Sequence, residues 1–469
     1  MAINRFGENR MARSAWLMVG MALMSSWATP LLAGEAEPQV TVEGGLLQGQ
    51  QGNGLIVFKG IAYAAPPVGE LRWRAPQPAA PWQGVRQARA YGPDCMQTPF
   101  ATDDAPLATQ PSEDCLYANL WRPKETNGPL PVLVWIHGGG FVNGGGSPPS
   151  YAGAALARQG VLVFSFNYRL GRFGSFAHPQ LSHAAADAGQ LGNYGFMDQI
   201  AALQWVKRNI AAFGGDPGNV TVMGESAGGM SVHALLTSPL AHGLFQKAVI
   251  QSGGEPRNSG SLAQAEQAGL KFARGLGIAD DDGRAMAKLR ALPADAIVGG
   301  LDLTTMGQAQ AAGSYVSPFA DGKVAVDFAA AYAAGRFNHV PVMVGATADD
   351  IGGPEGFMIA GARHTADVFA GAGLPTWHYR FGYVAEATRG LHPKGAAHAS
   401  DIPYFFGTVG VRYGSDTRPG DQAVSASAVG YLVNFMRTGD PNGSGLPTWK
   451  PYAAGKASTL DFGHAGGIE

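Results

Sequence analysis

The chain alternates short apolar runs with longer stretches whose apolar residues recur at helical spacing. Pro131-Val132-Leu133-Val134-Trp135-Ile136 and Val161-Leu162-Val163-Phe164-Ser165-Phe166 contain no charge. Runs of this length without polar alternation are what a strand covered on both faces leaves in a sequence. Similar runs occupy residues 220–223, 248–250, 340–344 and 377–381. Between them, residues 196–213 carry apolar positions at helical spacing and should stop at Gly214-Gly215, and residues 230–236 suit a helix. Strand and helix in turn predict an α/β fold with a largely parallel sheet joined by crossover helices. No internal repeat or interdomain linker breaks the pattern, so residues 34–469 are read as one domain with inserted cap segments.

Composition changes this picture little. Hydrophobic residues make up 46% and charged residues 14% of the 469, ample material for a core. The formal net charge is −2 with basic residues scattered, which leaves no electrostatic footprint for nucleic acid. The amino terminus does add something. Arg5, Arg10 and Arg13 precede the apolar stretch Ala15-Trp16-Leu17-Met18-Val19-Gly20-Met21-Ala22-Leu23-Met24, followed by small residues and Pro30. That is the layout of a secretory signal peptide, with cleavage placed after Ala33 or alternatively Ala36. Its apolar core is shorter than the ~20 residues of a membrane span, so no stable membrane anchor is expected after its removal.

Two turns carry the candidate chemistry. Gly224-Glu225-Ser226-Ala227-Gly228-Gly229 follows the run 220–223 and precedes the helical stretch 230–236. A strand turning sharply into a helix needs glycine where side chains would collide, and it presents its central residue, Ser226, as a nucleophile. The run 131–136 empties into His137-Gly138-Gly139-Gly140-Phe141, a loop able to aim free backbone N–H groups. Acyl transfer passes through an oxyanion that such groups stabilise, and Gly139, Gly140 and Ala227 are the expected donors. His137 is expected to orient that loop by hydrogen bonding.

These motifs, together with several others in order, resemble the type-B carboxylesterase and lipase family, which includes the cholinesterases, within the α/β-hydrolase fold. The further matches include Phe58-Lys59-Gly60-Ile61-Ala62-Tyr63, Leu71-Arg72-Trp73, Glu113-Asp114-Cys115-Leu116-Tyr117, Asp198-Gln199, Trp205-Val206 and Phe213-Gly214-Gly215-Asp216-Pro217. The resemblance covers nearly all of the chain after the leader. It implies a mostly parallel central sheet flanked by helices, and a serine carboxylesterase acting on small-molecule esters without metal or organic cofactor.

The resemblance also supplies candidates for the rest of a catalytic triad. The acid must lie between the serine and the histidine in chain order. Asp350 stands where the family usually has the second residue of an Asp-Glu pair, so its shorter side chain requires a closer backbone. Asp349 and Glu355 compete with it, and turn capping is the plainer use of Asp349. His398, in Gly395-Ala396-Ala397-His398-Ala399-Ser400-Asp401-Ile402-Pro403-Tyr404, matches the catalytic-histidine loop, with His392 its rival by position. An imidazole titrates near neutrality and can take and return the serine proton. Ser252, in Gln251-Ser252-Gly253, matches a serine that supports the acid. Cys95 and Cys115, the only two cysteines, match the pair that the family joins ahead of the oxyanion loop, and an exported chain with an even pair favours a disulfide. That places the protein in the periplasm or outside the cell.

A cholinesterase-like adhesion module that has lost its nucleophile is the alternative of another class, and the presence of Ser226, the glycine loop and His398 together argues against it. Within hydrolases, amide, carbonate or polyester bonds are open targets of the same chemistry. Selectivity is expected from residues 63–114, with Trp73, Trp82, Tyr91 and Phe100, and from the helical stretch 261–298 with the turns after it; these aromatics suit an apolar pocket or, more commonly, the core, and none is assigned as a substrate contact.

Overall fold

The computed structural model describes residues 37–100, 103–184, 186–258, 260–455 and 458–469, and the expected leader over residues 1–33 lies outside them. The main sheet has ten strands: β1 Gln50–Gly52, β2 Leu55–Ala62, β3 Tyr117–Pro123, β4 Leu130–Ile136, β5 Leu162–Phe166, β6 Gly215–Glu225, β7 Lys247–Gln251, β8 Val342–Thr347, β9 Thr376–Phe381 and β10 Thr459–Phe462. Their spatial order is β10-β9-β8-β7-β6-β4-β5-β3-β2-β1. From β5 through to β10 every neighbouring pair is parallel, while β1, β2 and β3 join by antiparallel pairings.

The unbroken apolar runs have the expected cause. In β4, Val132, Val134 and Ile136 face one buried cluster and Leu133 and Trp135 face another. Both faces are covered, by α1 (Tyr194–Asn209), α2 (Ala227–Thr237), α3 (Leu262–Gly275) and α4 (Phe357–Gly371) with their connections, and by α5 (Pro419–Thr438). The run 340–344 begins as a strand only at Val342, because Pro341 has no N–H for the ladder. The helix expected over 196–213 is α1 followed by a tighter turn, and it ends at Gly214 in the left-handed conformation (φ 80°).

Cys95 and Cys115 form a disulfide. Closing a loop of 20 residues' separation stabilises by about 3 kcal/mol in the chain-entropy account. Among the described residues, no helix is long and apolar enough to cross a membrane.

Candidate active site

The site lies where parallel strands end. Ser226, Ser252 and Asp350 follow the carboxyl ends of the neighbouring strands β6, β7 and β8, the edge at which open α/β sheets bind ligands. Ser226 sits between β6 and α2 with φ 55° and ψ −121°, a strained backbone for a residue with a Cβ. The residues two positions either side tolerate no side chain: a Cβ on Gly228 would lie 2.0 Å from the Ile136 carbonyl oxygen, and one on Gly224 would lie 2.3 Å from that of Gly228. The turn is pinned by Ser226 N–H donating to Gln251 O at 3.0 Å.

The structure brings His398, not His392, to the serine. His398 Nε2 lies 2.9 Å from Ser226 Oγ and its Nδ1 lies 2.6 Å from Asp350 Oδ1. Asp350 is buried, whereas Glu355 is exposed and Asp349 contributes its backbone, its N–H donating to Ala396 O at 2.9 Å. That bridge ties the acid turn to the histidine loop and supplies the close backbone approach that an aspartate needs here. Ser252 Oγ donates to Asp350 Oδ2 at 2.7 Å, joined by Thr347 N–H, while Ile351 N–H serves Oδ1. Burial would raise the Asp350 carboxyl, but these hydrogen bonds and the His398 charge hold it below its ordinary value.

The glycine loop faces the same cavity. Gly139 (φ 98°) and Gly140 (φ 61°) adopt backbone that favours glycine, and a Cβ on Gly138 would lie 3.1 Å from that of Ser226. Ala227 opens α2, where the first N–H groups have no partner within the helix. His137 is buried and stacked on Tyr168 with its Nδ1 2.9 Å from Gly138 O. Burial lowers its pKa to about 4, so it is a neutral brace of the loop.

One further carboxyl enters the site. Glu225, buried beside Ser226, places Oε1 3.3 Å from His398 Nε2. Burial is the main reason its pKa rises to about 8, against the pull of His398, and Asp401 and Asp350 add to the rise. Burial disfavours the His398 cation, yet Glu225, Asp350 and Asp401 outweigh that and raise its pKa to about 9. Asp401 accepts from Gln251 Nε2 at 2.9 Å and from Tyr379 OH at 3.1 Å, and is pushed up to about 6, mainly by burial. Glu225 was open to discovery from its place inside the serine motif, since the residue ending a central buried strand is itself buried.

These groups open onto a cavity of about 910 Å³. Its apolar lining includes Phe141, Met230, Leu303, Met306, Phe357 and Met358. Of the four aromatics named in the segment 63–114, Phe100 is among the lining residues and the other three take the core reading. Trp73 is stacked on Phe176 in the core, Trp82 covers Gly44 and Gly45, and Tyr91 packs near Trp121. Likewise the segment 261–298 packs elsewhere, as α3 buries Ala265, Ala268 and Phe272, and the roof comes from the turns after it, around Leu303 and Met306.

Fold and site together define a hydrolase of the α/β-hydrolase class. The chain belongs to the carboxylesterase family, whose description matches residues 36–355 and 353–466, and it is a carboxylic ester hydrolase. It is 34% identical to the para-nitrobenzyl esterase of Bacillus subtilis (strain 168) over 478 residues, 90% of this chain and 94% of that one. It is 39% identical to the fumonisin B1 esterase of Sphingopyxis macrogoltabida over 353 residues, 72% of this chain but 61% of that protein's length. Among solved structures, a thermophilic PNB esterase superposes with TM-score 0.81 at 30% identity, covering 92% of this chain and 98% of the other.

Proposed function

We propose that the protein is a serine carboxylesterase that works through an acyl-enzyme on Ser226, with His398 as general base and acid and Asp350 as the triad acid. The observation that carries this reading is the relay of 2.9 Å and 2.6 Å from Ser226 through His398 to Asp350, set beside a glycine loop at a large apolar cavity. His398 Nε2 takes the hydroxyl proton as Oγ attacks the ester carbonyl, and Gly139, Gly140 and Ala227 N–H groups hold the oxyanion. The imidazolium returns its proton to the alkoxide, and the alcohol departs. A water then gives a proton to His398 and its hydroxyl to the acyl carbon; as the Oγ–acyl bond breaks, His398 returns that proton to Oγ and the carboxylic acid departs. Asp350 holds the proton on Nδ1 and stabilises the imidazolium, and Ser252 steadies Asp350.

The substrate is a small-molecule ester with apolar bulk, in keeping with the cavity and with the para-nitrobenzyl and fumonisin B1 esterases among its relatives. The disulfide supports export of one mature domain, residues 34–469, to the periplasm or beyond. The test is a fluorophosphonate probe followed by peptide mass analysis, together with turnover of a p-nitrophenyl ester series. A single adduct on Ser226 that forms in step with loss of turnover is expected; an unlabelled Ser226 in active protein refutes the assignment.

The pH dependence should expose Glu225. Glu225 and His398 titrate as a coupled pair, each raised above its ordinary value, and the reactive form has a neutral imidazole. Because the His398 pKa is raised, the neutral base, and so kcat/KM, is lost as pH falls through that value. Glu225→Gln removes a negative charge that holds the proton on the imidazole. The acid limb of kcat/KM is expected to move to lower pH, and an unmoved limb means that Glu225 does not tune the base.

A further inference from the structure

We propose that Gln97 is a positioning residue for the oxyanion loop, by which the disulfide-closed segment between Cys95 and Cys115 sets the rate of acyl transfer. The proposal rests on the triad reading above. Gln97 is 5% exposed, and its amide uses both donors and both acceptor directions. Its Oε1 accepts from Gly144 N–H at 2.9 Å and from Asn143 Nδ2 at 3.2 Å. Its Nε2 donates to Gly144 O at 2.7 Å and to Cys95 O at 2.9 Å. One side chain therefore fixes both polar groups of Gly144 and anchors them to the disulfide.

Gly144 in turn is nested on the start of the oxyanion loop. A Cβ there would lie 2.4 Å from His137 Nδ1 and 2.8 Å from Gly138 O. Gly139 O accepts from Val142 N–H at 3.0 Å and Asn143 N–H at 2.9 Å, so a shift at Gly144 is a shift of the segment that presents Gly139 and Gly140. Asn143, 2% exposed, extends the brace in two directions. Its Nδ2 donates to Thr98 O at 2.8 Å, and its Oδ1 accepts from Leu303 N–H at 2.8 Å. Leu303 and Met306 cover Gly140, where a Cβ would lie 2.7 Å from Leu303 Cδ2. Two side-chain amides thus cross-link the disulfide segment, the oxyanion loop and the roof of the cavity. Gln97 stands behind the loop and outside the cavity lining, so it acts on the ester only through the loop.

The test is Gln97→Leu, of similar volume and without hydrogen bonds. It reads kcat and KM on a p-nitrophenyl ester, the Ki of a trifluoromethyl ketone that forms a tetrahedral oxyanion on the serine, and the pH profile. Loss of an oxyanion donor outright costs about 10²–10³ in kcat, so loosening the loop is expected to cost about tenfold to a hundredfold. KM should stay within about twofold, the ketone should weaken by the same factor as kcat, and the acid limb should not move. A folded Gln97→Leu with wild-type kcat and ketone affinity overturns the proposal. Should that variant not fold, Asn143→Ala, which loses the donors to Thr98 and Gln97 and the acceptor for Leu303 without adding charge, is read by the same criteria. A wild-type protein that neither turns over esters nor binds the ketone refutes the triad reading and the proposal with it. An active wild type matched by Gln97→Leu refutes the proposal alone.

Discussion

Replacing Ser226 by alanine is expected to lower kcat on a p-nitrophenyl ester by about a millionfold and to leave the fold intact. The size follows from the chemistry, because without Oγ no acyl-enzyme forms and water must attack unaided, helped only by the oxyanion loop and by binding. The intact fold follows from the surroundings of the side chain. The hydroxyl's contact is His398 Nε2 at 2.9 Å, whereas the strained turn is held by the Ser226 N–H bond to Gln251 O and by the glycines around it. Alanine keeps that backbone and its strain. The check is steady-state turnover beside near-ultraviolet circular dichroism on the same preparation. A loss of less than about a thousandfold, once trace wild-type enzyme is excluded, would remove Ser226 from the nucleophile's role.

The parts of the molecule legible in the sequence are those governed by local rules. A strand buried on both faces leaves little room for charge, so β4, β5 and β8, with residues 220–223 of β6 and 248–250 of β7, stand out as apolar runs, while β9 does so around its one exposed residue, Arg380. The turn at Ser226 can be built only with glycine at 224 and 228, because a Cβ at either collides with a backbone atom. β1 to β3 escaped notice for the opposite reason. β2 carries Lys59 and Gly60 and is only half-buried at most positions, which blurs any period. Which aromatics line the cavity is not legible, because an aromatic residue reads alike in a core and in a pocket; Trp73 buries its ring and gives its indole N–H to Arg172 O. Gln97 and Asn143 were illegible for a further reason. Their bonds between the disulfide segment and the oxyanion loop span 45 to 47 residues, and Asn143 reaches a further 160 residues on to Leu303, and no sequence period encodes such pairings.

Asp350→Ala is expected to cost roughly 10⁴-fold in kcat, less than loss of the nucleophile or of the base. Without the carboxylate, His398 Nδ1 loses its 2.6 Å acceptor, so nothing keeps the proton on Nδ1 and the lone pair of Nε2 facing Ser226. The imidazolium formed during attack also loses the counter-charge closest to it. Because Asp350 is one of the groups that raise the His398 pKa, its removal should lower that pKa, and the residual activity should keep its acid limb at a lower pH than wild type. The folded protein should weaken as well: a carboxyl held below its ordinary pKa contributes stability above the unfolded value, and that contribution is absent from the variant at neutral pH. The companion variants are Asp349→Ala and Glu355→Ala. The first leaves the backbone bridge to Ala396 in place and the second alters an exposed side chain, so both should retain most activity. Asp350→Asn is expected to cost about as much, roughly 10⁴-fold, because Ser252 Oγ and Thr347 N–H donate to the Oδ2 position and favour the amide oxygen there, which turns the NH2 toward His398 and holds the wrong tautomer. An Asp350→Ala enzyme with near wild-type kcat, beside an inactive Asp349→Ala or Glu355→Ala, would transfer the acid's role to that neighbour despite the hydrogen bond seen here.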